Sequence, residues 1–199
     1  MSDVTSTFGL LERFKQGDQE AFALLFQKYR ARLAVLIYYK LSEDLRRRIE
    51  VDDILQEVFF AASTQLDSFT YRAPGSFVAW LARIADHVII DAARFESRQK
   101  RRAEEMLRFR SESNPLGPDP ADSKTPSRLF AGQEALEQLL ARLDALPESY
   151  REVILLARME GLSTQEIAER MGKPRQSVSL LLHRALQRFR QLEDAPKSS

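Results

Sequence analysis

Apolar positions recur at helical spacing along most of this chain, and strand-like alternation is nearly missing. Asp18 is placed to cap a helix over about Gln19 to Lys40. Its core stripe is Phe22, Leu25, Phe26, Tyr29, Leu33, Leu36 and Ile37. After Arg46–Ile49 a second helix turns Val51, Ile54, Leu55, Val58, Phe59 and Ala62 inward. A loop, Leu66 to Ser76, mixes Phe69, Tyr71 and Arg72 with Pro74 and Gly75. It leads into a third strong helix whose stripe is Phe77, Trp80, Leu81, Ile84, Val88, Ala92 and Phe95. From Ser111 to Arg128 the periodicity stops, and four of the eight prolines fall there, so this stretch reads as a flexible linker. Beyond it, Leu136, Leu139, Leu140 and Leu143 mark a short helix that Leu146–Pro147 breaks. Tyr150, Val153, Ile154 and Ala157 mark the next. The expectation is an all-α chain of two small helical domains, residues 1–110 and 129–192, with a linker at 111–128 and a polar tail at 193–199.

The second domain ends in a helix-turn-helix pattern. Gly161 can end one helix, Ser163 caps the next, and Glu166 completes a capping box flanked by Leu162 and Ile167. The first helix then runs over about Thr164 to Met171, Gly172 supplies the turn, and Pro174 opens a second helix. Val178, Leu181, Leu182, Ala185 and Phe189 form its packed back. Gln176, Ser179, Leu180, His183, Arg184 and Gln187 form its front, with Arg175 at the entry. A helix with a packed back and a polar, basic front suits a major groove.

Two further surfaces carry unlike chemistry. On the second helix Asp53, Gln56 and Glu57 face outward around Phe60, and acids about an exposed aromatic suit protein docking better than solvation. On the third, Arg83, His87, Ile90, Arg94, Arg98 and Arg101 run opposite the buried stripe, beside the aromatic loop. Cations ranged next to aromatics suit a phosphate backbone with stacked or splayed bases.

Net charge is +1, so any nucleic-acid surface is local. Cysteine is absent, which excludes disulfides, thiolate metal sites and a cysteine nucleophile. No basic start with an apolar core and no membrane-length apolar run is seen, so a soluble, cytoplasmic protein is expected. Asp52, Asp53 and Glu57 lie on one helix without a second ligand-bearing segment, and His87 and His183 lack a nucleophile. Neither a catalytic site, a metal nor a cofactor is expected.

Several strings resemble bacterial RNA polymerase sigma factors. DQEAFALLFQKYRARL, DDILQEVFFAA and SFVAWLARIADHVIIDAAR resemble sigma region two. LDALPESYREVILLARMEGLSTQEIAERMG with SVSLLLHRALQRFR resembles region four. The two-domain, linker-joined form is similar to the extracytoplasmic-function group. The resemblance implies core polymerase docking on Asp53, Gln56, Glu57 and Phe60. It implies opening of the minus-ten element by Phe69, Tyr71, Arg72, Arg83, Asp86, Arg94 and Arg98. It implies reading of the minus-thirty-five element by Arg175, Gln176, Ser179, Leu180, His183 and Arg184. Implied partners are core polymerase, promoter DNA as duplex and melted strand, and an anti-sigma factor, with no membrane. The sequence departs at Asp86, where many relatives have asparagine, at Pro174, which lacks a capping oxygen, and at Ser177 and Ser179, where Thr and a base are common. LSTQEIAERMG also resembles free-standing helix-turn-helix regulators, an alternative that predicts duplex binding without polymerase and leaves the first hundred residues unexplained.

Overall fold

The computed structural model describes residues 6–113 and 133–194, and most of the stretch read as a linker, together with the last residues of the tail, lies outside them. Every regular element among the described residues is helical. Ser6 caps α1 (Thr7–Lys15) by accepting the Gly9 N–H, and Gly17, at φ 94°, turns the chain into α2. α2 (Gln19–Lys40) begins where the sequence pattern places it, because Asp18 accepts the N–H groups of Glu20 and Ala21. Arg13 closes on the same carboxylate at 2.7 Å; its hydrogen bond is the main reason the Asp18 pKa is lowered. α1 has no counterpart in the periodicity reading; its apolar residues are few, and only Leu10 and Leu11 are buried.

α3 (Glu43–Arg46) is a single turn, after which the chain reverses into α4 (Val51–Gln65). The first-turn acids Asp52 and Asp53 of α4 offset the unpaired N–H groups at its start. α5 (Ser76–Ser113) is the longest element, 38 residues, and it runs three residues into the stretch assigned to the linker. α1, α2, α4 and α5 enclose a first core that includes Leu25, Leu33, Leu36, Leu55, Val58, Phe77 and Leu81. Phe69 belongs to it. Its ring lies 5.4 Å from Phe77 and 5.0 Å from Trp80, and only 8% of the residue is exposed.

The second unit comprises α6 (Gln133–Asp144), α7 (Glu148–Ile154), α8 (Thr164–Met171) and α9 (Arg175–Asp194). Leu143, Val153, Ile154, Ile167, Val178 and Ala185 form its core, with Leu181, Leu182 and Phe189 packed on it. Between α7 and the helix-turn-helix the spiral widens over Leu155–Met159, so that the Glu160 N–H reaches back five residues to the Leu155 carbonyl. The capping box of α8 is complete: the Glu166 N–H donates to Ser163 Oγ, and the Ser163 N–H donates to Glu166 Oε2 at 2.7 Å.

α2 is shared between the two units. Leu33 through Tyr39 is apolar without a break, so the helix has no fully polar side there. Leu25, Leu33, Leu36 and Ile37 face the first core, while Val35 is completely buried in the second and Tyr39 packs beside it. Tyr39 donates its hydroxyl proton to Asp144 at 2.7 Å, and burial followed by that carboxylate pushes the phenol's pKa up.

Two outcomes are expected. Leu25→Ala removes a completely buried side chain of the first core and should destabilise the chain by about 2–5 kcal/mol, read as a lower denaturation midpoint. Ser163→Ala should cost about 1 kcal/mol. Hydrogen bonds from Ser163 lower the Glu166 pKa, so the parent's cap contribution is present above the unfolded carboxylate pKa and fades as pH falls through the folded one. The difference between parent and Ser163→Ala in urea midpoint should therefore shrink on acidification.

Candidate polymerase and nucleic-acid interfaces

Five buried residues, Ile54, Leu55, Val58, Phe59 and Ala62, pin α4 by one face and fix what the other presents. Asp53, Gln56 and Glu57 are all exposed, and Phe60 stands 74% exposed among them. Asp52 differs from its neighbours. It lies 3.5 Å from Arg30, and burial raises its pKa against the pull of that guanidinium. Beside Asp53 and Glu57 an open groove of about 520 Å³ runs between α4 and α5, lined also by Ile49, Ile54, Val88 and Phe95. Phe95, read from periodicity as core, is 54% exposed at this groove, because α4 does not cover α5 there. It joins Phe60 as an apolar side chain offered beside acids.

The loop before α5 is held by Ser76, whose hydroxyl donates to the Ala73 carbonyl at 2.8 Å and accepts from the Arg72 N–H. Arg72 is exposed, and Tyr71 is half-buried with its ring 5.5 Å from that of Phe8. Phe69 is a correction to the sequence reading. It is not offered to a base in this structure, since its ring closes the aromatic cluster of the first core. Phe8 was missed by the sequence reading; it is 44% exposed and lies on α1, where no helix had been expected.

On α5 the side chains of Arg83, His87, Ile90, Arg94 and Arg98 are exposed along one side. Arg94 lies 3.4 Å from Asp91, and Arg98 donates to the Arg94 carbonyl, so both guanidiniums lie along the helix. A second concavity, bounded by Ile90, Arg94, Ser97, Arg98 and Arg101, opens among them. Asp86 has a different setting. Its carboxylate lies 2.7 Å from the Lys40 ammonium.

In the second unit α8 and α9 meet at Gly172, whose φ of 63° is the left-handed turn that a side chain would strain. Pro174 stands just before α9 and contributes its carbonyl, which accepts the Val178 N–H at 3.1 Å. Val178 and Ala185 are completely buried, which sets the rotation of α9. Arg175, Gln176, Ser179, Leu180, His183 and Arg184 are all exposed on the opposite face, with Leu180 50% exposed in their midst. Helix α9 can thus present cations, hydrogen-bonding amides and one apolar contact to a groove.

Among the described residues no cluster of His, Cys, Asp and Glu could hold a metal, and no helix is long and apolar enough to cross a membrane.

Residues 25–99 match the family "Sigma-70 region 2", and residues 136–189 match "Sigma-70, region 4". The chain is 32% identical over 187 residues to the ECF RNA polymerase sigma-E factor of Haemophilus influenzae, covering 93% of this chain and 94% of that protein. The Escherichia coli K12 protein of the same name is also 32% identical, over 188 residues and 93% of each chain. Among solved structures, CnrH in complex with the cytosolic domain of CnrY is 26% identical. The match covers 94% of this chain and 97% of that one, at a TM-score of 0.42. The free-standing regulator is therefore not the favoured alternative, because the region 2 match covers residues 25–99, which that reading leaves unexplained. The chain belongs to the extracytoplasmic-function group of sigma-70 family RNA polymerase sigma factors.

Proposed function

We propose that three faces of this sigma factor divide initiation between them. The α4 face with Asp53, Gln56, Glu57 and Phe60 docks a basic, helical surface of core polymerase. The loop and α5, through Tyr71, Arg72, Arg83, Arg94 and Arg98, hold the melted minus-ten strand. The front of α9, from Arg175 to Arg184, reads the minus-thirty-five duplex. Phe69 supports the second face from beneath as a core residue. The protein acts in the cytoplasm and carries out no chemistry of its own; bond making stays with the polymerase.

The observation that carries this assignment is Phe60. A large aromatic 74% exposed, on a helix rigidly seated by five buried neighbours and one turn after the exposed Glu57, is arranged as an anchor for a partner. The exposed cations of α5 and α9 supply the complementary electrostatics for phosphates, and the tether between units raises the effective concentration of each reader once the other is engaged. Run-off transcription with bacterial core polymerase on fragmented genomic DNA tests the whole proposal. Discrete, factor-dependent transcripts are expected, and their absence together with absent core association would refute it.

Within that assay the variants should separate. Phe60→Ala with Glu57→Ala should weaken core binding by at least about tenfold, while duplex binding through α9 stays as in the parent. Arg83→Ala with Arg94→Ala should lower promoter opening, followed by permanganate reactivity, at unchanged core affinity, and should flatten the salt dependence of strand binding. Equal loss of both activities in either pair would count against the division of faces.

A further inference from the structure

One large apolar side chain of α9 sits where the chemistry around it is otherwise polar. Leu180 is 50% exposed at the middle of the helix front, while Val178 and Ala185 on the back are completely buried. Gln176 lies one turn before it and Arg184 one turn after, with Ser179 and His183 beside it, and all four are exposed. None of these four has a hydrogen-bond or ion-pair partner among the described residues. Their donors and acceptors are turned to whatever the helix meets, and among them stands a branched hydrocarbon that water solvates poorly.

We infer that Leu180 is a thymine reader: its side chain packs on the 5-methyl group of one thymine in the major groove of the duplex that α9 enters. The inference rests on the function proposed above and names the base pair that the α9 front selects. In the major groove every base offers hydrogen-bonding groups, and thymine alone adds a methyl. An aliphatic side chain has no donor or acceptor to give, so that methyl is the base-edge feature it can favour. A graded preference follows. Uracil keeps the pairing and the O4 acceptor and lacks only the methyl. Cytosine, besides, puts its amine against Leu180, where burial leaves that donor without an acceptor. Thymine should therefore rank above uracil, and uracil above cytosine.

Helix spacing sets what flanks the thymine. Four residues advance α9 by about 6 Å, against about 3.4 Å per base pair, so Gln176 and Arg184 reach pairs within about two steps on either side. A carboxamide matches adenine N6 and N7, and a guanidinium matches guanine O6 and N7. The buried Val178 and Ala185 hold the helix in one rotation, so Leu180 cannot turn from the groove without unpacking the back of α9. A selected site should thus hold the thymine between an adenine on the Gln176 side and a guanine on the Arg184 side.

Duplexes recovered from fragmented genomic DNA by the full chain with core polymerase, and in parallel by the full chain alone, supply the probes. Each thymine of the upstream duplex element is replaced singly by deoxyuridine, and the affinity is measured. For the parent, one position should lose about fourfold, the worth of one buried methyl. Exchanging that T·A pair for C·G should lose at least about tenfold. Leu180→Ala should bind the thymine and uracil duplexes equally, with helix content by circular dichroism as in the parent, because the side chain belongs to neither core. Leu180→Gln should move the preference at that same pair from thymine to adenine, a change that loss of a merely structural residue would not produce. Binding by the parent that ignores the methyl, or an equal uracil loss in Leu180→Ala, would overturn the thymine assignment. A methyl effect with the chain alone and no association with core would strike the initiation role instead and leave Leu180 as a reader. Failure to enrich any duplex, with or without core, would overturn both.

Discussion

The structure depends on α2 being dry on two sides. Seven consecutive apolar residues, Leu33 to Tyr39, leave that helix no face suited to water, and the fold answers by giving each side a different core. Completely burying Val35 is worth about 1.5–3 kcal/mol, comparable to an internal position in an ordinary core. Yet it is buried by a unit joined to its own through a separate stretch of chain. A helix that serves as half of one core and the lid of another couples their positions without fusing them. Polar groups around Val35 carry the rest of the load. Tyr39 with Asp144 and Lys40 with Glu160 are partners that would be solvated, and so satisfied, if the units moved apart. The boundary between the units thus combines an apolar contact at Val35 with polar pairs whose partners water could replace.

The same arrangement explains why two surfaces of one helix behave differently. Along α5, Arg94 and Arg98 lie clear of the second unit, while Val78 and Asp86 lie beneath or beside it. At the far side, α4 with Phe60 and the groove containing Phe95 remains open. The α4 face around Phe60 is therefore open in this structure, whereas the start of α5 is covered at Val78.

What could be read from the chain alone was what is decided locally. Asp18, Pro147, the Ser163–Glu166 box and Gly172 each determine their helix boundary through atoms within four residues, and each stands where the pattern put it. Core stripes were legible wherever a helix has one dry face, as in α4 and α9. The misreadings share a cause: a decision made by a distant segment. Phe69 lies in a loop beside Tyr71 and Arg72 and so resembled a base-stacking residue, but Phe77 and Trp80 one turn apart on α5 supply a pocket for it. Phe95 continues the spacing of Val88 and Ala92, yet α4 gives it no cover. For α2 the uninterrupted run at Leu33–Tyr39 was itself the signal of a second buried face, and a one-stripe reading passes over it. Asp86 could be marked as a departure from the family pattern, but not paired with Lys40, which is far away in sequence.

The widened turn at Leu155–Met159 has a geometric consequence. Each residue of an α-helix advances the chain by about 100° of rotation, so the extra residue held within that turn sets the angle at which everything after it leaves α7. Directly after that offset Glu160 meets Lys40 of α2 and Gly161 meets Val78 of α5. The heading of α9 is in this sense written into the phase of a single turn of backbone that precedes it. Phase of that kind is changed by insertion or deletion and hardly at all by substitution, so residues in this segment can vary in identity while their number must not.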